Sequence, residues 1–154
     1  MTFLRFQFHC TFEMQKTPFL RKINRKLLES YYTASDFYLQ SSNIETWCFS
    51  VTEALHFGKP VVASSVGGMK EQIRGYNCFP ENESNAALNK FPLSEANGIL
   101  FNRGDVSMLA KSIQYLCDNK IIMDELGNNA YQSSLDYTMD KVLDKHLEYY
   151  KSVL

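Results

Sequence analysis

Residues 3–12, FLRFQFHCTF, alternate in character: Leu4, Phe6, Phe8, Cys10 and Phe12 fall on one side, and Arg5, Gln7, His9 and Thr11 on the other. That period of two predicts a strand with one buried face. Pro18 closes the segment, and residues 20–33 read as a helix, basic in its first half, with LLESYY as its packing end. DFYLQS (36–41) and PVVAS (60–64) are short apolar runs that predict buried strands, and NGILF (97–101) predicts a third. SVTEALHFG (50–58) predicts a helix. Ser50 is placed to cap it, Glu53 three residues later completes a capping box, and Gly58 stops it. GGMKEQIRG (67–75) predicts a short helix after two glycines. The Gly104-Asp105 pair caps a helix over 105–118, with Met108, Leu109, Ile113 and Leu116 as its apolar positions. Two further helices follow, over 121–135 and 139–153, the last with Val142, Leu143, His146, Leu147 and Tyr150 on one side.

The rhythm from residue 36 onward is strand, helix, strand, helix with tight connections. It predicts an α/β fold, a Rossmann-like parallel sheet with flanking helices. Residues 1–26 stand apart as an N-terminal segment with a candidate edge strand, and residues 27–154 form the main domain. Within it, GYNCFPENESNAALNKFPLSEA (75–96), rich in Asn, Pro and Glu, breaks the rhythm and reads as an inserted loop or lid.

Composition narrows the function. The 154 residues suffice for one domain with its own core. Lys and Arg number 16 against 17 Asp and Glu, so the chain lacks the basic excess of a general nucleic-acid binder. Any anion must be held locally. The four cysteines, Cys10, Cys48, Cys78 and Cys117, form no CxxC pair, and His9, His56 and His146 do not cluster with them, which argues against a zinc site. No apolar run approaches the roughly 18 residues of a membrane helix. The start, MTFLRFQFHC, is too mixed for a signal peptide. The expectation is a reduced, cytoplasmic protein, at most peripheral to a membrane.

Two carboxylates, Glu45 and Glu53, flank the start of the predicted helix at 50–58. In open α/β sheets, ligands gather at the carboxyl ends of strands. A helix N-terminus there offers free N–H groups and a positive dipole end, which suits a phosphate. Cys48–Val51 is therefore a candidate diphosphate cradle, and the flanking carboxylates could accept hydrogen bonds from sugar hydroxyls. Plain alternatives stand beside each role. Glu53 could be only the capping box, Glu45 a solvated loop carboxylate, and Trp47 core packing.

The run from Tyr31 to Glu71 carries Glu45, Glu53, Ala54, Gly58, Pro60, Val61, Val62, Gly67, Gly68 and Glu71 in the order Glu-x7-Glu-Ala, Gly-x-Pro-Val-Val, Gly-Gly-x-x-Glu. Ser35-Asp36 precedes it, and NGILF with Gly104-Asp105 and the closing helix follow. This resembles the donor-binding, C-terminal half of GT-B glycosyltransferases of the retaining GT4, or group 1, family, over about residues 27–154. The resemblance implies that Glu45 holds the donor sugar near the reaction centre. It implies that Glu53 binds the ribose. It implies that backbone amides of Trp47, Cys48, Phe49 and Ser50, with Gly67 and Gly68, face the diphosphate. It further implies sugar transfer from a UDP-, GDP- or ADP-sugar to a glycan or lipid-linked acceptor, with retention, no cofactor and no essential metal.

The sequence departs from the family pattern in three places. Thr46-Trp47-Cys48 stands where Gly-Phe-Gly is usual. Residues 75–96 are longer than the usual link. The acceptor-binding N-terminal domain, and the Gly-Arg and Lys that clamp the phosphates, have no counterpart here. Weak or no transfer by the isolated chain is therefore expected, with a missing N-terminal half or a second copy as partner. The competing reading is a non-catalytic nucleotide-sugar-binding module or subunit. A dehydrogenase-type domain is disfavoured, because no GxGxxG follows a strand.

Overall fold

The computed structural model describes residues 22–153. The strand expected over 3–12 lies outside the described residues. The described chain runs α1 (Arg25–Ala34), β1 (Tyr38–Gln40), α2 (Phe49–His56), β2 (Val61–Ser64), α3 (Met69–Gln72), α4 (Glu83–Leu88), β3 (Gly98–Phe101), α5 (Val106–Asp118), α6 (Lys120–Ser134), a 3-10 turn (Leu135–Tyr137) and α7 (Met139–Val153).

The three strands form a parallel sheet in the order β1-β2-β3. Tyr38 pairs with Val61, and Val61 in turn with Gly98. Parallel strands covered on both faces bury every side chain, and β2 and β3 do so at each position. Alternation sorts these residues into two core layers. Val61, Ala63 and Leu100 join Val51, Ala54, Leu55 and Met69 on one face, while Val62, Ile99 and Phe101 join Met108, Leu116 and Leu126 on the other. β1 corrects the expectation of a buried strand: it lies at the edge of the described sheet, and Leu39 is exposed.

The caps follow local chemistry where the neighbourhood leaves them free to. Asn24 accepts from Leu27 N at 2.9 Å to start α1, and Asp105 accepts from Met108 N at 2.8 Å to start α5. Gly58 ends α2 in the left-handed region, at φ 65°, as its position in the sequence predicts.

The segment 75–96 is not a free lid. Its backbone lies along the outer edge of β3, with Tyr76 N donating to Gly98 O at 2.8 Å. It contains α4, which ends at the buried Asn89, whose side-chain amide takes the part of a neighbouring strand. Asn89 Oδ1 accepts from Leu100 N, and Asn89 Nδ2 donates to Leu100 O, both at 2.7 Å. An open edge would leave these backbone groups unpaired or available to another chain.

α7 buries none of its residues, and Met139, Leu143, Leu147 and Tyr150 lie exposed along it. No described helix is long and apolar enough to cross a membrane.

Candidate functional site

Residues 41–48 carry the chain from the carboxyl end of β1 to the start of α2, and the turn after β2 is laid directly against them. Gly68 N donates to Thr46 O at 2.9 Å. A Cβ on Gly67 would collide with the carbonyl oxygen of Glu45, and one on Gly68 with that of Thr46. Gly67 also sits at φ 47°, which favours glycine. The two glycines, expected at the diphosphate, are thus brought against the backbone of Glu45 and Thr46. Below them the buried Gln72 grips the next residues. Its Nε2 donates to Cys48 O at 3.1 Å and to Thr52 Oγ1 at 2.7 Å, and its Oε1 accepts a longer bond from Cys48 N at 3.4 Å.

This bracing changes where α2 begins. The helix starts at Phe49, with Cys48 as its N-cap residue and no side-chain cap bond. The capping box expected between Ser50 and Glu53 does not form. Cys48, fixed by Gln72, already accepts from Val51 N and Thr52 N, so Ser50 falls inside the first turn. The Ser50 hydroxyl instead lies 3.1 Å from Cys48 Sγ. The Phe49 and Ser50 amides belong to the first turn, where no intrahelical acceptor exists. Such amides, with the positive end of the helix dipole, suit an anion and need no basic side chain beside them. The Trp47 indole is half-buried and meets Tyr137 edge-on, with centroids 5.3 Å apart, so Trp47 can offer the cradle only its backbone. The Phe49 ring is exposed.

The two glutamates occupy opposite flanks of this helix start. Glu45 lies on the side of the Gly67-Gly68 turn, and its Oε1 accepts from the neighbouring Thr46 N at 3.1 Å. Glu53 faces α1, where Arg25 Nη1 donates to Oε1 at 3.0 Å and the Tyr32 hydroxyl donates to Oε2 at 3.2 Å. Tyr38, on β1, senses both. Burial pushes its hydroxyl above the ordinary tyrosine value; the Ser50 hydroxyl opposes this, and the charges of Cys48, Glu53 and Glu45 add to it. The Tyr38 hydroxyl donates to Gln40 Oε1 at 2.8 Å, and Gln40 Nε2 donates to Ser42 Oγ at 2.7 Å, so a polar relay runs along β1 towards the loop.

Sequence reasoning missed Gln72, Arg25, Tyr32 and Tyr38. Gln72 follows directly on the Gly-Gly-x-x-Glu run but has no role in that pattern. Arg25 was visible only as one of several basic residues. A cavity of about 940 Å³ opens at the other end of the sheet, near Asp36 and Pro60 before β1 and β2. Its cations are already engaged: Lys120 pairs with Asp124 at 2.9 Å and Asp36 at 3.7 Å, and Lys59 donates to Thr33 O at 3.1 Å. Chemistry therefore favours the helix-start site. Among the described residues, no group of three or more His, Cys, Asp and Glu is arranged to hold a metal ion.

A parallel sheet with helices on both faces, and a braced loop and helix start at its carboxyl end, define a Rossmann-like α/β unit. The profile of the glycosyl transferases group 1 family matches residues 13–133, and the chain belongs to that family. It is 29% identical over 135 residues to the trehalose synthases of Thermococcus litoralis and Pyrococcus furiosus, covering 88% of this chain and 27% of each relative. An uncharacterized glycosyltransferase of Haemophilus influenzae is 24% identical over 115 residues, covering 75% of this chain and 28% of that protein. The solved sucrose-phosphate synthase of Thermosynechococcus elongatus superposes with a TM-score of 0.69 at 22% identity, over 90% of this chain and 30% of that one. The fold is that of the C-terminal half of a GT-B glycosyltransferase. The chain spans little more than a quarter of the length of the curated relatives it matches, at 27%.

Proposed function

We propose that this chain is the donor-binding part of a retaining glycosyltransferase and that it takes a UDP-, GDP- or ADP-sugar. The observation that carries this reading is the α2 start, where free first-turn amides stand between two acidic side chains held on opposite flanks. The amides of Trp47, Phe49 and Ser50 receive the diphosphate, beside a Cys48 amide that Gln72 Oε1 already holds. Glu53 accepts the ribose hydroxyls. Glu45 accepts a hydroxyl of the sugar beside the reaction centre. Gly67 and Gly68 act through the loop, by letting its backbone sit where Glu45 needs it.

In transfer the bond from the sugar to the nucleoside diphosphate breaks, and negative charge grows on the departing phosphate. Oriented N–H groups at a helix start stabilise that charge without moving. The reading includes no cofactor and no essential metal.

The acceptor is a glycan or a lipid-linked acceptor, bound by a second domain or another copy in the cytoplasm. The exposed apolar row on α7 is suited to packing against such a unit. The isolated chain then transfers sugar weakly or not at all.

A thermal-shift and calorimetric screen against UDP, GDP, ADP and their sugar derivatives tests the reading. Binding of one nucleoside diphosphate, with its sugar form bound differently, is expected. No binding to any of them contradicts it. Robust sugar transfer by the isolated chain contradicts the need for a partner unit.

A further inference from the structure

Glu53 is held at two points before any ligand arrives. Arg25, the first residue of α1, reaches Oε1 at 3.0 Å, and Tyr32, two turns along the same helix, reaches Oε2 at 3.2 Å. Arg25 is itself steadied by Glu29, which accepts from its Nε at 3.0 Å. A carboxylate offers about four acceptor sites, two on each oxygen. Among the described residues one is used on each, so one stays open on each. Beside them lies a cavity of about 260 Å³, lined by Arg25, Thr52, Glu53, His56, Phe57 and Tyr137 among others.

We propose that Arg25 and Tyr32 are positioning residues that present Glu53 to the two vicinal hydroxyls of the donor's ribose, one hydroxyl to the open acceptor site of each carboxylate oxygen. The proposal rests on the ribose role given to Glu53 above. A glutamate on an exposed helix face samples several rotamers, and ordering it on binding costs affinity. Two donors from α1 fix it in advance. A carboxylate only accepts hydrogen bonds and so suits two hydroxyl donors.

Tyr32 remains a donor throughout. Burial first, then the charges of Tyr38 and Glu53, push its hydroxyl far above the ordinary tyrosine value. Its single proton has a second acceptor in Ser50 O at 3.3 Å, and the charged oxygen is the stronger of the two. The Tyr32 ring stacks on Phe57 at 5.3 Å, a contact that Tyr32→Phe leaves in place.

The test is calorimetric titration of the full chain and four variants, Glu53→Ala, Arg25→Ala, Arg25→Lys and Tyr32→Phe. Each is titrated with the nucleoside diphosphate that binds the unmodified chain and with its 2′-deoxy counterpart, after circular dichroism has confirmed folding. Arg25→Ala and Tyr32→Phe are each expected to weaken the ribonucleotide roughly five- to tenfold and the deoxynucleotide much less, with Arg25→Lys recovering part of the loss. Equal weakening of both ligands overturns the proposal, because it marks a purely structural effect. Unchanged or tighter binding by Arg25→Ala, with Glu53→Ala still impaired, overturns it too, the tighter case making Arg25 a plug. If Glu53→Ala itself binds the ribonucleotide normally, the ribose reading falls and the proposal falls with it.

Discussion

Gln72 and Cys48 are 24 residues apart in sequence and share a buried amide-to-backbone contact in which Gln72 Nε2 gives its proton to Cys48 O at 3.1 Å. The contact ties the helix after the Gly-Gly turn to Cys48, the N-cap residue of α2. Gln72→Leu keeps the volume but leaves Cys48 N and Thr52 Oγ1 without this partner. A loss of about 1–3 kcal/mol of stability is expected in urea denaturation. Nucleoside diphosphate affinity should fall in the same variant under conditions where it is still fully folded. Undiminished affinity would mean that the cradle holds its shape without Gln72.

Asn89 closes the outer edge of β3 through paired bonds with Leu100. Asn89→Ala strands a buried donor and a buried acceptor of the sheet at once. About 2–4 kcal/mol of destabilisation is expected, with faster amide exchange at Leu100. If the exchange at Leu100 is unaltered, the side-chain pairing contributes nothing to edge protection.

Alkaline pH should loosen the same region. Burial pushes the Cys78 thiol and the Tyr115 hydroxyl each up to about 12, from ordinary values of 9.0 and 10.0. Both hold their protons in the folded chain and give them up in the unfolded one. Their contribution to stability is therefore whole below about pH 9 and is lost as the pH climbs towards 12. The melting temperature should fall steadily from about pH 9 upward, and less steeply in a Cys78→Ser, Tyr115→Phe double variant. An equally steep fall in that variant would place the alkaline sensitivity elsewhere.

The contrast between α2 and β2 shows what local sequence can carry. Val61–Ser64 is buried at every position because both faces of the sheet are covered, and a short β-rich apolar run says as much. Ser50 followed by Glu53 equally says capping box, yet both residues are used differently. The helix start is fixed from outside, by Gln72 on Cys48 and by Gly68 on Thr46, and Glu53 is taken by Arg25 and Tyr32 of another helix. Partners 20 or more residues away leave no local signature. Asn89 makes the same point from the opposite direction. It stands in an Asn-rich stretch that reads as loop, and its burial depends on the bare edge of β3, which no local pattern announces. The ordered motifs around Glu45, Glu53, Gly67 and Gly68 were legible as a set only through their resemblance to the family pattern; in the structure Gly67 and Gly68 pack on the backbone of Glu45 and Thr46.

The division of labour proposed for Glu45 and Glu53 is tested most directly by Glu45→Ala. Affinities for a nucleoside diphosphate and for its sugar derivative are measured by calorimetry on the same variant. An unchanged nucleoside diphosphate affinity is expected, with the sugar-nucleotide affinity reduced about tenfold, or roughly 1.4 kcal/mol. Equal loss for both ligands, or no loss for either, would contradict it.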